Sequence, residues 1–199
     1  ELVYKGYSVI AYSTACETPL SNFEASSNYK TVRTNTSYVA FKVKSTILEN
    51  TYLAAWTTTN WTLFSNMALC VNPTMKYVIC EDDTGRKYIV AENSVDNLKI
   101  TIKSTVDFGL GQDLVGMEYE PLFDYMEFKY HKVLADSYVK ASDVGTGIVH
   151  IAAAHGADDC RICLDNQIIG ARDLDKLCMI DSQGKYRQNM GDYSGMYVF

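Results

Sequence analysis

Two histidines and two carboxylates fall inside the stretch 150–159: His150, His155, Asp158 and Asp159. Imidazoles exchange protons near neutrality, and carboxylates grip cations or share protons, so such a set could do acid–base work or hold an ammonium group. A second group is hydroxylic: Thr57, Thr58 and Thr59, followed by Trp61, Thr62 and Asn66. Hydroxyls both donate and accept, so a cluster of them can orient a water, a ribose and a carbonyl together. Each group also has a plainer reading. Asp158 stands where it could cap a helix, a single histidine in a strand is commonly a satisfied core residue, and hydroxyls at a strand end often bond their own backbone. A third set is Cys160-Arg161-Ile162-Cys163, a CxxC that raises a zinc or redox role. It has no second CxxC or HxxxH partner, and no metal is expected.

The elements that must position these groups follow from apolar patterning. Gly145-Thr146-Gly147 opens the acidic–histidine stretch, where backbone must turn tightly or pass close to another segment. Ile148 to Ile151 then reads as a buried β-branched strand, with His150 on the face opposite Val149 and Ile151. The spacing predicts a helix over 157–166, with Asp158 as its cap and acid near its positive end. Upstream, 38–43 and 52–56 read as strands, the second running straight into the threonines, and 68–71 is a short apolar piece. The runs 76–81 and 87–91, joined by Asp82-Asp83-Thr84-Gly85, read as a hairpin. Residues 125–135 read as one long strand or two, and a short helix is expected from Ser94. Many short strands and few helices predict a mixed α/β, β-rich fold, with a closed or strongly curved barrel-like core that leaves no free edges.

The chain of 199 residues fits one domain. A net charge of −6 argues against a protein whose main task is gripping nucleic-acid backbone, though it leaves room for a pocket that takes one nucleotide end. No apolar run reaches the roughly 20 residues of a membrane span. No secretory pattern opens the chain, and Glu1-Leu2-Val3-Tyr4-Lys5 begins mid-pattern, as if cut from something longer. The six scattered cysteines are expected as free thiols in a reducing compartment.

Together the motifs are specific. Trp56-Thr57-Thr58-Thr59-Asn60-Trp61-Thr62-Leu63-Phe64-Ser65-Asn66 resembles the threonine-rich motif WTTTPWTLPSN of isoleucyl-tRNA synthetases. Gly145 to Asp159 resembles their second editing motif, GTGIVHxAPxxGxDD. The likeness extends to Tyr12–Cys16, Thr18–Ala25, Asp113–Gly116, Tyr119–Phe123, Asp192-Tyr193 and Gly195-Met196, nearly the whole chain. Its flavour is that of the eukaryotic cytoplasmic form. Valyl and leucyl relatives typically carry Thr-Thr-Arg-Pro in the first motif and Lys or Met where His150 stands. Neither HxGH nor KMSKS, the ATP-site signatures of the synthetase core, occurs. The resemblance therefore implies a single editing domain over 1–199, excised from a larger cytoplasmic synthetase, with the class I editing-domain fold.

The resemblance further implies post-transfer editing: hydrolysis of valine mischarged onto isoleucine tRNA, and of valyl-adenylate if adenylates are also taken. Asp159 would hold the α-ammonium group, and Thr57 and Thr58 would share the catalytic role with it. Thr57, Thr58, Thr59, Trp61, Thr62, Asn66, His150 and Asp159 would line the substrate pocket, His150 setting its size. The implied partners are the 3′-terminal aminoacyl-adenosine and the rest of the synthetase, with no membrane, in a monomer. No cofactor is implied here, since ATP and Mg belong to the missing core. The alternative is a non-catalytic module that binds the tRNA 3′ end with a vestigial site. Asn60, Phe64 and Ala153 stand where the family usually has proline. Losing three ring-fixed φ angles is expected to loosen the pocket walls.

Overall fold

The protein is seen in a computed structural model that describes residues 3, 6–140 and 142–199. Glu1, Leu2, Tyr4 and Lys5 of the opening run lie outside the described residues. The chain starts with a short antiparallel ribbon, β1 (Tyr12–Ser13) and β2 (Thr18–Pro19), and the single-turn helix α1 (Asn22–Ala25). The strands β3 (Ser37–Lys42), β4 (Thr51–Thr57), β5 (Ala68–Val71), β6 (Lys76–Asp82), β7 (Lys87–Ala91), β8 (Ile102–Leu110), β9 (Lys132–Ala135) and β10 (Ile148–Ile151) follow. Helices α2 (Ala157–Asp165) and α3 (Leu174–Leu177) come last.

One sheet has the order β3-β4-β7-β6-β8 and a second the order β10-β5-β9. They pack face to face through Phe41, Leu53, Tyr77 and Ile89 of the first and Leu69, Val71, Val133 and Ile148 of the second, all essentially excluded from water. The opposite face of the smaller sheet, with Ala68, Cys70 and Ile151, is covered by Cys160, Ile162 and Cys163 of α2 and by Leu174 and Leu177 of α3. Strand β5 is therefore buried on both faces. That explains its unbroken apolar run, since neither face needs polar alternation. Its pairing with β10 fixes His150 opposite Leu69 and on the same side as Ile148. The imidazole thus points toward the larger sheet and β4, away from α2.

The barrel expected from the sequence does not form. Among the described residues the strands make open sheets, and the margins β3 and β8 do not pair with each other. The free edge is controlled locally instead. β8 presents Lys103 and Asp107, and its register on β6 shifts at Tyr77/Val78 and at Glu81/Asp82, irregularities that interrupt the ladder. Two other expectations change. Of 125–135 only 132–135 is a strand, and 102–110, unassigned in the sequence, is the longest one. The short helix near Ser94 is a 3-10 segment, Glu92–Leu98.

The turn into β10 needs glycine. Gly147 has φ +75, and a Cβ there would sit 2.4 Å from the Ala91 Cβ, because the Ala91 N–H donates to the Thr146 carbonyl at 2.8 Å. This contact ties the end of β7 to the start of β10.

Candidate functional site

The strand β4 ends at Thr57, β10 ends at Ile151, and α2 begins at Ala157. Where these three meet there is a cleft of about 320 Å³, lined by Trp56, Thr57, Thr58, Thr59, Trp61, Thr62, Val149, His150, Ala152, His155, Gly156 and Asp159. Clefts of larger volume lie elsewhere, such as one of about 530 Å³ beside it that shares Trp61 and His155. The smaller cleft is singled out by chemistry: it gathers Thr57, Thr58, Thr59, Trp61, Thr62, His150 and Asp159. Asn66 is not on its wall. It lies buried behind His150.

The hydroxyl wall is a tight turn. Thr59 N–H donates to Thr57 Oγ1 at 3.1 Å, and Thr62 Oγ1 donates to the Thr59 carbonyl at 2.8 Å. The hydroxyls of Thr57 and Thr59 lie 3.3 Å apart, and those of Thr59 and Thr62 3.4 Å apart. Thr58 is exposed at the rim. Both readings of these hydroxyls hold: they do bond their own backbone, and the same turn lines one cleft with Thr57, Thr58, Thr59 and Thr62.

His150 closes the cleft floor with both ring nitrogens engaged, Nε2 to Thr62 Oγ1 at 3.0 Å and Nδ1 to Asn66 Nδ2 at 2.8 Å. Burial, with nearby His155 adding to it, pulls its pKa down to about 4. It is neutral at physiological pH and has no free nitrogen to take a proton from water. It serves as a wall. His155 is likewise held near 4 by burial, bonded to Ser65 Oγ at 3.1 Å and set edge-on against Trp61 at 5.1 Å.

Asp159 faces this wall with far less support. It lies in the first turn of α2 with its carboxylate folded back over Gly156, where a Cβ would come 2.8 Å from the Asp159 carboxyl carbon. Oδ2 accepts the Ala152 N–H at 2.8 Å. Among the described residues no Lys, Arg or His nitrogen pairs with it. Burial therefore dominates and pushes its pKa up to about 6, against the lowering effect of the Ala152 bond. A carboxylate dried without a counter-charge is costly, and it is a natural acceptor for a cation brought by a ligand.

Asp158 does not share this role, nor does it cap the helix. Gly156 occupies the cap position with no side-chain cap bond, and Asp158 turns to solvent toward Arg161, which also pairs with Asp136 at 2.9 Å. The exposed side of the first turn accounts for it: at 61% exposure the Asp158 side chain is one position round the helix from the cleft. The CxxC thiols point into the core behind α2. Burial raises both, Cys163 to about 12, so they are protonated and unreactive. Among the described residues no group of three or more His, Cys, Asp or Glu could hold a metal.

The three positions expected to be loose differ among themselves. Phe64 is buried in an aromatic cluster, its ring 4.3 Å from Phe123, 4.8 Å from Tyr193 and 4.9 Å from Tyr186, and so anchors the wall to the C-terminal segment. Ala153 is packed in the core. Only Asn60 shows a defect, a buried Oδ1 without a partner. Sequence reasoning gave no role to Tyr119, whose hydroxyl donates to Asn66 Oδ1 at 2.8 Å. Its position, far along the chain from both motifs, carried no signal of that contact.

No protein-family model matches the sequence. Among curated proteins, the cytoplasmic isoleucine–tRNA ligase of Caenorhabditis elegans is 44% identical over 203 residues, covering 99% of this chain and 17% of that protein. The cytoplasmic enzyme of Mus musculus is 43% identical over 207 residues, covering 99% and 16%. The isoleucine–tRNA ligase of Clostridium kluyveri is 38% identical over 199 residues, covering 99% and 18%. The chain thus spans less than a fifth of the length of these relatives. Of solved structures, the leucyl-tRNA synthetase CP1 domain GlLeuRS-CP1 superposes with a TM-score of 0.59 at 17% identity, over 82% of this chain and 91% of that one. At that identity the likeness concerns the fold. Among the described residues no helix is long and apolar enough to cross a membrane.

Proposed function

We propose a function for a chain that belongs, along its whole length, with one segment of the isoleucyl-tRNA synthetases: it is their editing domain, and it hydrolyses valine wrongly esterified to the 3′-terminal adenosine of isoleucine tRNA. One missing methylene is worth only about 1–3 kcal/mol of discrimination, and isoleucine against valine is the pair for which that limit is customarily quoted. A second site that destroys what is small enough to enter it makes up the difference.

The observation that carries the reading is Asp159, a half-buried carboxylate with no cation beside it among the described residues, on the wall of a cleft whose opposite wall is hydroxyls. The substrate's α-ammonium supplies the missing charge, and an ion pair made in a water-poor pocket fixes the aminoacyl group. Thr57, Thr58 and Thr59 hydrogen-bond the adenosine ribose and the ester carbonyl, with Trp61 and Thr62 shaping the same wall. His150, neutral and pinned, limits the side chain admitted. Water adds to the ester carbonyl carbon, the bond to the ribose oxygen breaks, and the proton lost by water ends on that oxygen, giving free valine and uncharged tRNA. The neighbouring ribose hydroxyl is the proposed assistant in that proton transfer. No cofactor enters this scheme, and the rest of the synthetase provides the contacts to tRNA backbone that a chain of net charge −6 makes poorly.

The test is deacylation of valyl- and isoleucyl-tRNA(Ile) by this chain and by Asp159→Ala. Selective loss of the valyl ester, reduced by about 100-fold or more in the variant, is expected from removing one partner of a dry ion pair. Equal rates in the variant would sink the role of Asp159. A folded chain that binds the 3′ end without turnover would favour a binding module instead.

A further inference from the structure

Behind the cleft a chain of hydrogen bonds runs from the core to the hydroxyl wall, and each link has a direction. The Ala68 carbonyl can only accept, so the Asn66 group 3.0 Å from it is the amide nitrogen. That nitrogen can only donate, so His150 Nδ1, 2.8 Å away, must be bare. Asn66 Oδ1 is then the atom turned to Tyr119, whose buried hydroxyl donates to it. A neutral ring with a bare Nδ1 carries its proton on Nε2, which donates to Thr62 Oγ1. The Thr62 proton is left for the Thr59 carbonyl. With the opposite tautomer two donors would face each other at Asn66. Thr62 would also turn its proton to the ring, releasing the Thr59 carbonyl.

We propose that Asn66 and Tyr119 are positioning residues for the cleft: they lock His150 in the Nε2–H tautomer and thereby hold the ring and the Thr57–Thr62 turn in one arrangement. Neither touches the ligand. Their effect on the reaction proposed above runs through the rigidity of the size-limiting wall, and the inference rests on that reading only for its catalytic consequence. A ring held at both nitrogens cannot swing aside to admit a longer side chain. A ring held at one can.

The experiment is ¹⁵N NMR of the histidine ring nitrogens in the wild-type chain, Asn66→Ala and Tyr119→Phe, with valyl and isoleucyl ester hydrolysis measured alongside. The expected wild-type result is a single His150 species with Nε2 protonated and Nδ1 bare. Asn66→Ala should populate both tautomers and lower the valyl-over-isoleucyl ratio by roughly threefold to tenfold, the scale of one lost hydrogen bond. Tyr119→Phe, which keeps the ring and removes one oxygen, should move both in the same direction by less. A wild-type spectrum with Nδ1 protonated overturns the proposal, as do variants that keep one tautomer and an unchanged ratio. Should the alanine variant fail to fold, the wild-type and Tyr119→Phe spectra still decide. If the wild-type chain hydrolyses neither ester, the proposed function fails while the spectra continue to judge the relay.

Discussion

Two polar residues line one cleft, His150 buried and Asp159 half-buried, and the protein treats them in opposite ways. His150 has a partner for each ring nitrogen and sits at the centre of a closed network. Asp159 has one backbone N–H and no counter-ion among the described residues, in surroundings that raise its pKa to about 6. Burying a polar group costs little once its bonds are made and a great deal when they are not. The satisfied residue therefore belongs to the architecture, and the unsatisfied one is where the proposed function brings in a cation from outside. The same contrast separates Asp159 from its neighbour Asp158, which lies in solvent with an arginine close by.

Four changes would break or sharpen this contrast. The largest is His150→Ala, which takes one partner each from Asn66 Nδ2 and Thr62 Oγ1 and leaves a void. Unfolding by denaturant should show a loss of about 2–4 kcal/mol. An unchanged midpoint would mean the network carries no stability. Next comes Asp159→Asn, which should stabilise the ligand-free protein. The folded state holds the Asp159 proton more tightly than the unfolded chain between pH 3.8 and about 6, so wild-type stability falls as pH rises through that window. Above it, removing the charge should regain about 1–3 kcal/mol, and below about pH 4 the two proteins should melt alike. A variant less stable than wild type at pH 7 would show that the carboxylate is compensated after all. The smallest is Asn60→Pro. Asn60 opens the 3-10 segment Asn60–Ser65, where a fixed φ is tolerated, and its side chain leaves an orphaned oxygen. A gain of about 0.4–1 kcal/mol is expected from the stiffened unfolded chain. Phe64→Pro, by contrast, should destabilise, since Phe64 anchors an aromatic cluster. Equal effects at 60 and 64 would erase the distinction between them.

Much of the framework was legible because it is local. Strand β10 matches its expected span, helix α2 ends one residue before the expected limit, and the apolar piece 68–71 proves to be strand β5. Short apolar runs bounded by turn residues leave few alternatives. The hairpin of β6 and β7 was legible for the same reason: Asp82 Oδ1 accepts from Thr84 and Arg86 within the turn itself. Strand β8 was not, because at an edge its exposed lysine, serine, threonine and aspartate give no alternation to detect. The barrel was inferred from the number of strands, but edges can be blunted by charge and bulges as well as by closure.

The residue types that could bind an aminoacyl ester, and the likeness to one synthetase family, were determined by the sequence, since both are written in contiguous motifs. Tertiary structure alone decided which polar groups are satisfied. Thr62 and His150 are 88 positions apart, and Asn66 and Tyr119 are 53. Whether a carboxylate finds a cation, or an imidazole finds two partners, depends on distances across the fold that no local spacing encodes. That distinction, between Asp159 left without a cation among the described residues and His150 fully bonded, is the one on which the proposed function turns.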